Sequence, residues 1–214
     1  MSKISLKHSG GNVVSLNSPT NAPSAADVAF KLPNADGTSG QALVTDASGN
    51  LSFAGTGKIL QVKQAVKTDT ASYSTGSSTL ADSFFDIVGL SITLTPSSGT
   101  KCLVSYDVNL GGEGAYEQGI AMFRDSTQIY RGDADGGKMR LSSFNYTGNQ
   151  NIEDHGGSFL DTHGADGSTA VTYKLQIYVA TPGRTSRINR CHSESDDRYS
   201  ARLASSITVM EVAA

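Results

Sequence analysis

Two cysteines, four histidines and a scatter of carboxylates are the side chains through which this sequence could do chemistry. Nucleophilic catalysis needs a hydroxyl or thiol presented on a sharp turn beside a base, and no Gly-x-Ser-x-Gly elbow is present. No glycine-rich loop followed by lysine offers a cradle for phosphate. Cys102 and Cys191 lie far apart and lack metal-type spacing. Cys102 belongs to the alternating series Cys102, Val104, Tyr106, Val108, Leu110, which predicts a core-facing thiol acting as a small hydrophobe. Cys191 sits in a polar, arginine-rich stretch. Synthesis in a cytoplasm favours two free thiols over a disulfide.

The other candidates are equally short of partners. His8, His155, His163 and His192 form no zinc-type pair, and the expectation for them is solvated loops. His155 and His163 could approach each other across a hairpin and tune a loop to pH. Asp133 and Asp135 with Gly136, and Asp161 with Asp166-Gly167, resemble pieces of calcium loops. Further oxygen ligands and a closing bidentate carboxylate are missing, and Asp-Gly is ordinary turn chemistry. Arg131-Gly132-Asp133 matches the integrin-binding tripeptide over three residues only, too short a match to carry a function. Polysaccharide cleavage needs two carboxylates at a defined separation. Glu113, Glu117, Glu153, Asp154 and Asp161 are candidates whose pairing the sequence leaves open. The expectation is a protein that is not an enzyme and needs no metal or cofactor.

Binding chemistry is better represented. Between Arg184 and Arg202, arginines 184, 187, 190, 198 and 202 stand beside Glu194, Asp196 and Asp197. Charges of both signs suit ion pairs between subunits, a polar contact surface, or simply a solvated hairpin. Arg184, Arg187, Arg190 and Tyr199 are taken as a candidate contact surface. Tyr116, Tyr130 and Tyr146 lie near polar loops and, like Tyr199, could stack on sugars, although tyrosines also line core edges.

The elements that must position these residues are strands. The chain has 214 residues, 23 of them glycine, no tryptophan and only 17% charged residues. That composition suits short strands and many turns rather than packed helices. A net charge of −3 provides no basic field for nucleic acid. No apolar run is long enough to insert in a bilayer, and MSKISLKHSGGNVV lacks the apolar core of a secretory signal. Alternation at period two recurs from residue 58 almost to the C-terminus. Leu60, Val62 and Val66 share one parity, with Gln61, Lys63 and Lys67 on the other. Leu90, Ile92 and Leu94 follow, then the Cys102 series, Ile120 and Met122, and the clean stripe Val171, Tyr173, Leu175, Ile177, Val179. Ile207 and Val209 occupy one face of the last strand, with Met210 and Val212 on the other. A strand apolar on both sides is usually covered on both, and here a neighbouring subunit could be the second cover. Six to eight strands predict a single jelly-roll-like β-sandwich over 58–214.

Residues 1–54 differ. They hold few large apolar side chains and many Ser, Asn, Gly, Ala and Pro. Val28, Phe30 and Leu32 alternate, as do Leu51 and Phe53, around Pro33, Gly37, Gly40 and the turn-like Asp46–Asn50. So small a segment cannot offset its own ordering entropy, yet its regular alternation argues for a face covered by partner chains. The chain is therefore divided into a docking segment 1–25, a β stalk 26–57 and a sandwich knob 58–214, all-β throughout.

The stretch VAFKLPNADGTSGQALVTDASGNLSFAG carries a resemblance. Leu32-Pro33, Asp36-Gly37, Gly40-Gln41, Leu43, Thr45-Asp46 and Gly49-Asn50-Leu51 with Phe53 resemble a repeat unit of phage tail-fibre and other virion appendage proteins. The preceding residues 8–30 resemble segments of marine phage structural proteins. The C-terminal region, with its final strand ITVMEV, is similar to trimeric jelly rolls of the tumour-necrosis-factor-like shape. These resemblances imply a bacteriophage virion protein made in the host cytoplasm. They imply a homotrimer whose short extended stalk is held by Val28, Phe30, Leu32, Leu51 and Phe53. The N-terminal segment would dock on other virion proteins and the knob would contact host surface glycans. Capsid decoration or a head fibre is the alternative, and a polysaccharide depolymerase a lesser one.

Overall fold

The computed structural model describes residues 3–7, 9–11, 13–17, 29–46, 48–55, 57–75, 84–196, 198 and 200–213. Among them there is no α-helix, and every named strand pairs antiparallel. The chain separates into two compact units, residues 1–56 and 57–214.

Among its described residues the first unit holds two hairpins, β1 (Lys3–Lys7) with β2 (Val13–Asn17) and β3 (Gln41–Thr45) with β4 (Leu51–Gly55). The β3–β4 turn is built by Asp46, whose carboxylate accepts hydrogen bonds from Ser48 N–H (2.8 Å), Asn50 N–H (3.1 Å) and the Asn50 side-chain amide (2.6 Å). Those bonds, led by the Asn50 amide, hold the Asp46 carboxyl below its usual range. The alternating stretch that ends in Leu32-Pro33 does not become a strand. It makes one parallel bridge, Lys31 with Asn50, with Lys31 N–H donating to Gly49 O and Leu51 N–H donating to Lys31 O, each at 2.8 Å. Pro33 brings no N–H, so the ladder has no donor there. Gly37 is required by packing: a Cβ there would lie 2.6 Å from Cγ of the Phe53 ring. Val28 lies outside the described residues.

Among the described residues, the second unit is a sandwich of nine strands: β5 (Ile59–Lys67), β6 (Ala71–Ser74), β7 (Phe84–Leu94), β8 (Lys101–Arg124), β9 (Thr127–Ile129), β10 (Ser143–Asp161), β11 (Val171–Val179), β12 (Thr185–Ile188) and β13 (Ser205–Val212). Two long strands, β8 and β10, run antiparallel along each other from Cys102↔Asp161 to Ile120↔Ser143, and both serve two sheets. The first half of β8 pairs with β13, which pairs with β5; the second half pairs with β11, which pairs with β7. The first sheet is thus β5-β13-β8-β10 and the second β7-β11-β8 with β9 and the start of β10. The pairing of β10 with β8 shifts register between Thr147 and Ile152, opposite the glycine-rich middle of β8. Beyond that irregularity, inward side chains of β10 meet each other: Ser143 with His155, and Asn145 with Glu153.

The core lies between the sheets and is filled by one parity of each main strand. Val104, Val108, Leu110, Ile120 and Met122 of β8 meet Tyr173, Leu175 and Ile177 of β11 and Ile207 and Val209 of β13, all fully buried. Cys102 is buried among them, in agreement with its alternating series, and Cys191 is also a buried free thiol. β5 departs from the pattern. Its apolar parity, Leu60, Val62 and Val66, points outward, while Gln61, Lys63 and Lys67 point toward the second sheet. Gln61 Nε2 donates to Thr95 O (3.3 Å) and Lys63 Nζ to Thr93 O (2.8 Å), so this polar row satisfies carbonyls on the open edge of β7. Lys67 is only 4% exposed and pairs with Asp69 at 2.7 Å.

Candidate functional surface

The residues that could do chemistry are mostly built into the sandwich. At one end, Arg124 grips Asp161 with NH1 2.9 and 2.8 Å from its two oxygens, and Tyr173 Oη donates to the same carboxylate at 2.7 Å. Burial, reinforced by that carboxylate and by Cys102, pushes the Tyr173 phenol far up. Burial likewise raises the Cys102 thiol. Next to it Glu211 accepts from Gln61 Nε2 (2.5 Å), Ser97 N–H (2.7 Å) and Thr100 Oγ1 (2.9 Å). Burial pushes the Glu211 carboxyl up, and these donors outweigh it and hold it below the usual range. A network in which each acid is already bonded stabilises a native state and presents no free base or nucleophile.

Two histidines expected on solvated loops are buried instead. His155 Nδ1 lies 2.9 Å from Ser143 Oγ, and His163 Nε2 lies 3.2 Å from Thr100 Oγ1. Each meets a different partner, and neither bonds the other. His155 was missed because a period-two reading weighs apolar side chains and a histidine on the inward parity of β10 leaves no apolar mark, while His163 lies beyond the end of β10 with no alternation to read. Among the described residues no group of three metal-type ligands comes together. Asp166 spends its carboxylate on the N–H groups of Ser168 and Thr169, which hold it well below its usual range. Of the carboxylates weighed for sugar cleavage, Glu113 faces Arg187 at 3.6 Å, Glu117 accepts from Thr181 Oγ1 at 3.4 Å, Glu153 accepts from the Asn145 amide, and Asp161 is held by Arg124.

The arginine-rich stretch is anchored by a buried asparagine. Asn189, at φ 62°, donates through Nδ2 to Lys67 O (2.8 Å) and Asp69 O (3.0 Å), and Ser205 Oγ donates to its Oδ1 at 2.6 Å. Its neighbour Arg190 lies so close to β8 that a Cβ on Gly111 would stand 2.0 Å from Arg190 O. Arg190 pairs with Glu194 (3.0 Å) and reaches Ser72 Oγ (3.1 Å), while Arg202 takes the other oxygen of Glu194 at 2.8 Å. Arg187 turns back to Thr185 O at 3.0 Å. Arg184, half-buried, immediately precedes β12, and its carbonyl accepts from Thr75 N–H at 3.4 Å. Arg187 and Arg190 are therefore spent within the chain, while the Arg202 side chain is 60% exposed. Tyr199 lies outside the described residues. Of the other tyrosines, Tyr116 is buried and donates to Thr185 O (2.7 Å), Tyr130 stacks on Phe159 at 5.3 Å, and Tyr146 is exposed.

A groove of about 490 Å³ lies beside the loop that links β9 to β10, lined among others by Glu117, Lys138, Met139, Phe144 and Tyr178. Its wall is fixed. Ser142 N–H donates to Ile120 O (2.9 Å), Ser142 Oγ donates to Tyr130 O (2.8 Å) and Arg140 Nε donates to Gly132 O (2.7 Å). Phe144, a lining residue, and Tyr146 stand exposed on the outward parity of β10. Sequence reading singled out Tyr146 but not Phe144 or the groove, whose lining is drawn from four separate stretches of chain.

No family model matches this sequence, and no curated protein matches it. Among solved structures, a chain in the structure of the infectious bursal disease virus Gx strain aligns at 10% identity and a TM-score of 0.38. The alignment covers 80% of this chain and 46% of that one, so this chain spans less than half its length. The class that the strands define is an all-β, jelly-roll-like antiparallel sandwich.

Proposed function

We propose that this chain is a bacteriophage virion structural protein, a homotrimeric fibre or spike. Its N-terminal segment docks on the particle and its sandwich projects outward to touch the host surface. The observation that carries this reading is the exposed apolar set of the first unit. Phe30 and Leu32 are 63% and 79% exposed, and Leu43 and Phe53, cross-strand partners in a regular hairpin, are exposed as well. A two-stranded hairpin is marginal alone in water, so one that keeps such a face is built to be covered. Copies of the same chain supply that cover with matching geometry. The likeness of Leu32–Phe53 to virion appendage repeats supports the placement on a phage.

The groove at Phe144 is the part of the knob best suited to a sugar. Exposed aromatic faces can stack on the apolar side of a sugar ring, while Glu117 and Lys138 are placed to bond hydroxyls. On this reading the protein works by binding. Two experiments test the reading. Labelled chains imaged on virions should mark the tail; label on the head supports decoration instead, and no label on particles overturns the virion role. Binding of the full chain to host cells should be lost in Phe144→Ala, and a full chain that never associates with cells at any salt concentration contradicts direct host recognition.

A further inference from the structure

The outer face of the first sheet has a composition that a solvated sheet does not need. Register places Val62, Met210, Leu103 and Leu160 in one row across four strands. The next row is Gln64, Thr208, Ser105 and Ser158, closed by the bonds Gln64 Nε2 to Thr208 Oγ1 (2.9 Å) and Ser105 Oγ to Ser158 Oγ (3.1 Å). Val66, Ser206, Asp107 and Gly156 form the third. Charge stays at the margins, with Lys101 at one end and Asp107 at the other. On edge strand β5, Val62 is 55% exposed while Lys67 is buried. The polar parity of β5 is accounted for by the carbonyls of β7. Among the described residues, nothing within the sandwich accounts for the outward valines.

We infer that this face packs against a second copy of the chain, forming an interface between knobs in addition to the one proposed for the N-terminal unit. The inference rests on the reading of the protein as a homo-oligomer. Area and charge favour a copy as the occupant. Four strands about 4.8 Å apart and eight residues long at about 3.3 Å each span roughly 500 Å² in plan. Side chains standing off the sheet raise the accessible area toward the ~800 Å² per partner of a standard interface. A neutral centre with charge at the rim is the composition of a protein–protein patch and suits neither an anionic membrane nor a nucleic acid.

The test uses the full chain, labelled by a maleimide at single introduced cysteines, since Cys102 and Cys191 are buried. Val62→Cys and Thr208→Cys report on the face. Val88→Cys, on β7 and 73% exposed, reports on free surface. Both face variants are small substitutions at outward positions, and a thermal midpoint matching the parent checks each fold. In an oligomer by light scattering, the face cysteines should label at least about tenfold more slowly than Cys at 88, because a packed interface excludes water and reagent. An oligomer whose face cysteines label as fast as Cys at 88 overturns this interface and leaves the N-terminal association standing. A chain that scatters as a monomer overturns both; slow labelling in that monomer puts residues of the same chain over the face.

Discussion

The outer faces of the two sheets place their charge differently. The second sheet sets a charged group, Lys174 and Asp86 with Gln176, beside the aromatic row Phe84, Tyr178 and Phe144 that borders the groove, whereas the first, among the described residues, has no ion pair at its centre. Outside the second sheet, Lys174 pairs with Asp86 at 2.8 Å, Gln176 bonds the same carboxylate at 2.7 Å, and Thr93 bonds Thr172 at 2.8 Å. Burial pushes the Asp86 carboxyl up, and the bonds from Lys174 and Gln176 outweigh it and hold it below the usual range. Outside the first sheet, the corresponding rows carry valine, methionine, leucine, Gln64 and small hydroxyls, with Asp107 at one margin. Both sheets cover the same core, so core packing cannot account for the difference. A solvated face invests in charge; a face meant for a partner keeps charge at its rim.

Substitutions that separate the two faces from the core they share have graded expected effects. The largest belongs to the core. Arg124→Ala strands Asp161 in a buried site and should cost about 3–5 kcal/mol of unfolding free energy, read from denaturant midpoints. An effect under 1 kcal/mol means the carboxylate finds water instead. Next is the double variant Val62→Lys, Met210→Lys. Two lysines forced into a packed interface should cost about 2 kcal/mol or more in association, seen as a lower, concentration-dependent melting temperature. On a solvated face the same pair should stay within about 0.5 kcal/mol. Lys174→Ala on the other sheet should change stability by about 0–1 kcal/mol and assembly not at all.

The pH responses are smaller and run in opposite directions. Burial pushes the His155 imidazole below its ordinary value of 6.5, partly offset by Glu153 and Asp154. The unfolded chain then binds the proton that the native one refuses, so this contribution is whole above about 6.5 and lost as pH falls toward the lowered native value. Melting of His155→Gln should fall less than that of the parent between neutral and acidic pH. Asp107, on the outer face of the first sheet, is shifted the other way by burial, then by its hydrogen bond and repulsion with Asp154. Its strain is absent below the ordinary 3.8 and grows as pH rises through the raised native value, so Asp107→Asn should stabilise at neutral pH and not at strongly acidic pH.

Strand alternation made the fold class and the core stripes legible. Val171 to Val179 and Cys102 to Leu110 are buried on the parity that the sequence marks. Period two does not say which face the rest of the molecule covers, and β5 shows the cost. Its valines mark a face correctly, but the polar parity turns inward to serve β7, a requirement invisible until both strands are placed. β8 runs unbroken for 24 residues through Gly111, Gly112 and Gly114, where it passes from one sheet to the other and Gly111 lies against Arg190. The arginine stretch was visible as a charge cluster. Its internal pairing through Glu194 was not, because ion pairs follow from tertiary approach and leave no spacing of their own.

Self-association stands behind the stalk, the outer face and the proposed role alike. The mass of the full chain in solution, by light scattering across micromolar concentrations, tests it most directly. The account predicts three times the 22.3 kDa of one chain. A mass that stays at that of one chain throughout the range contradicts it.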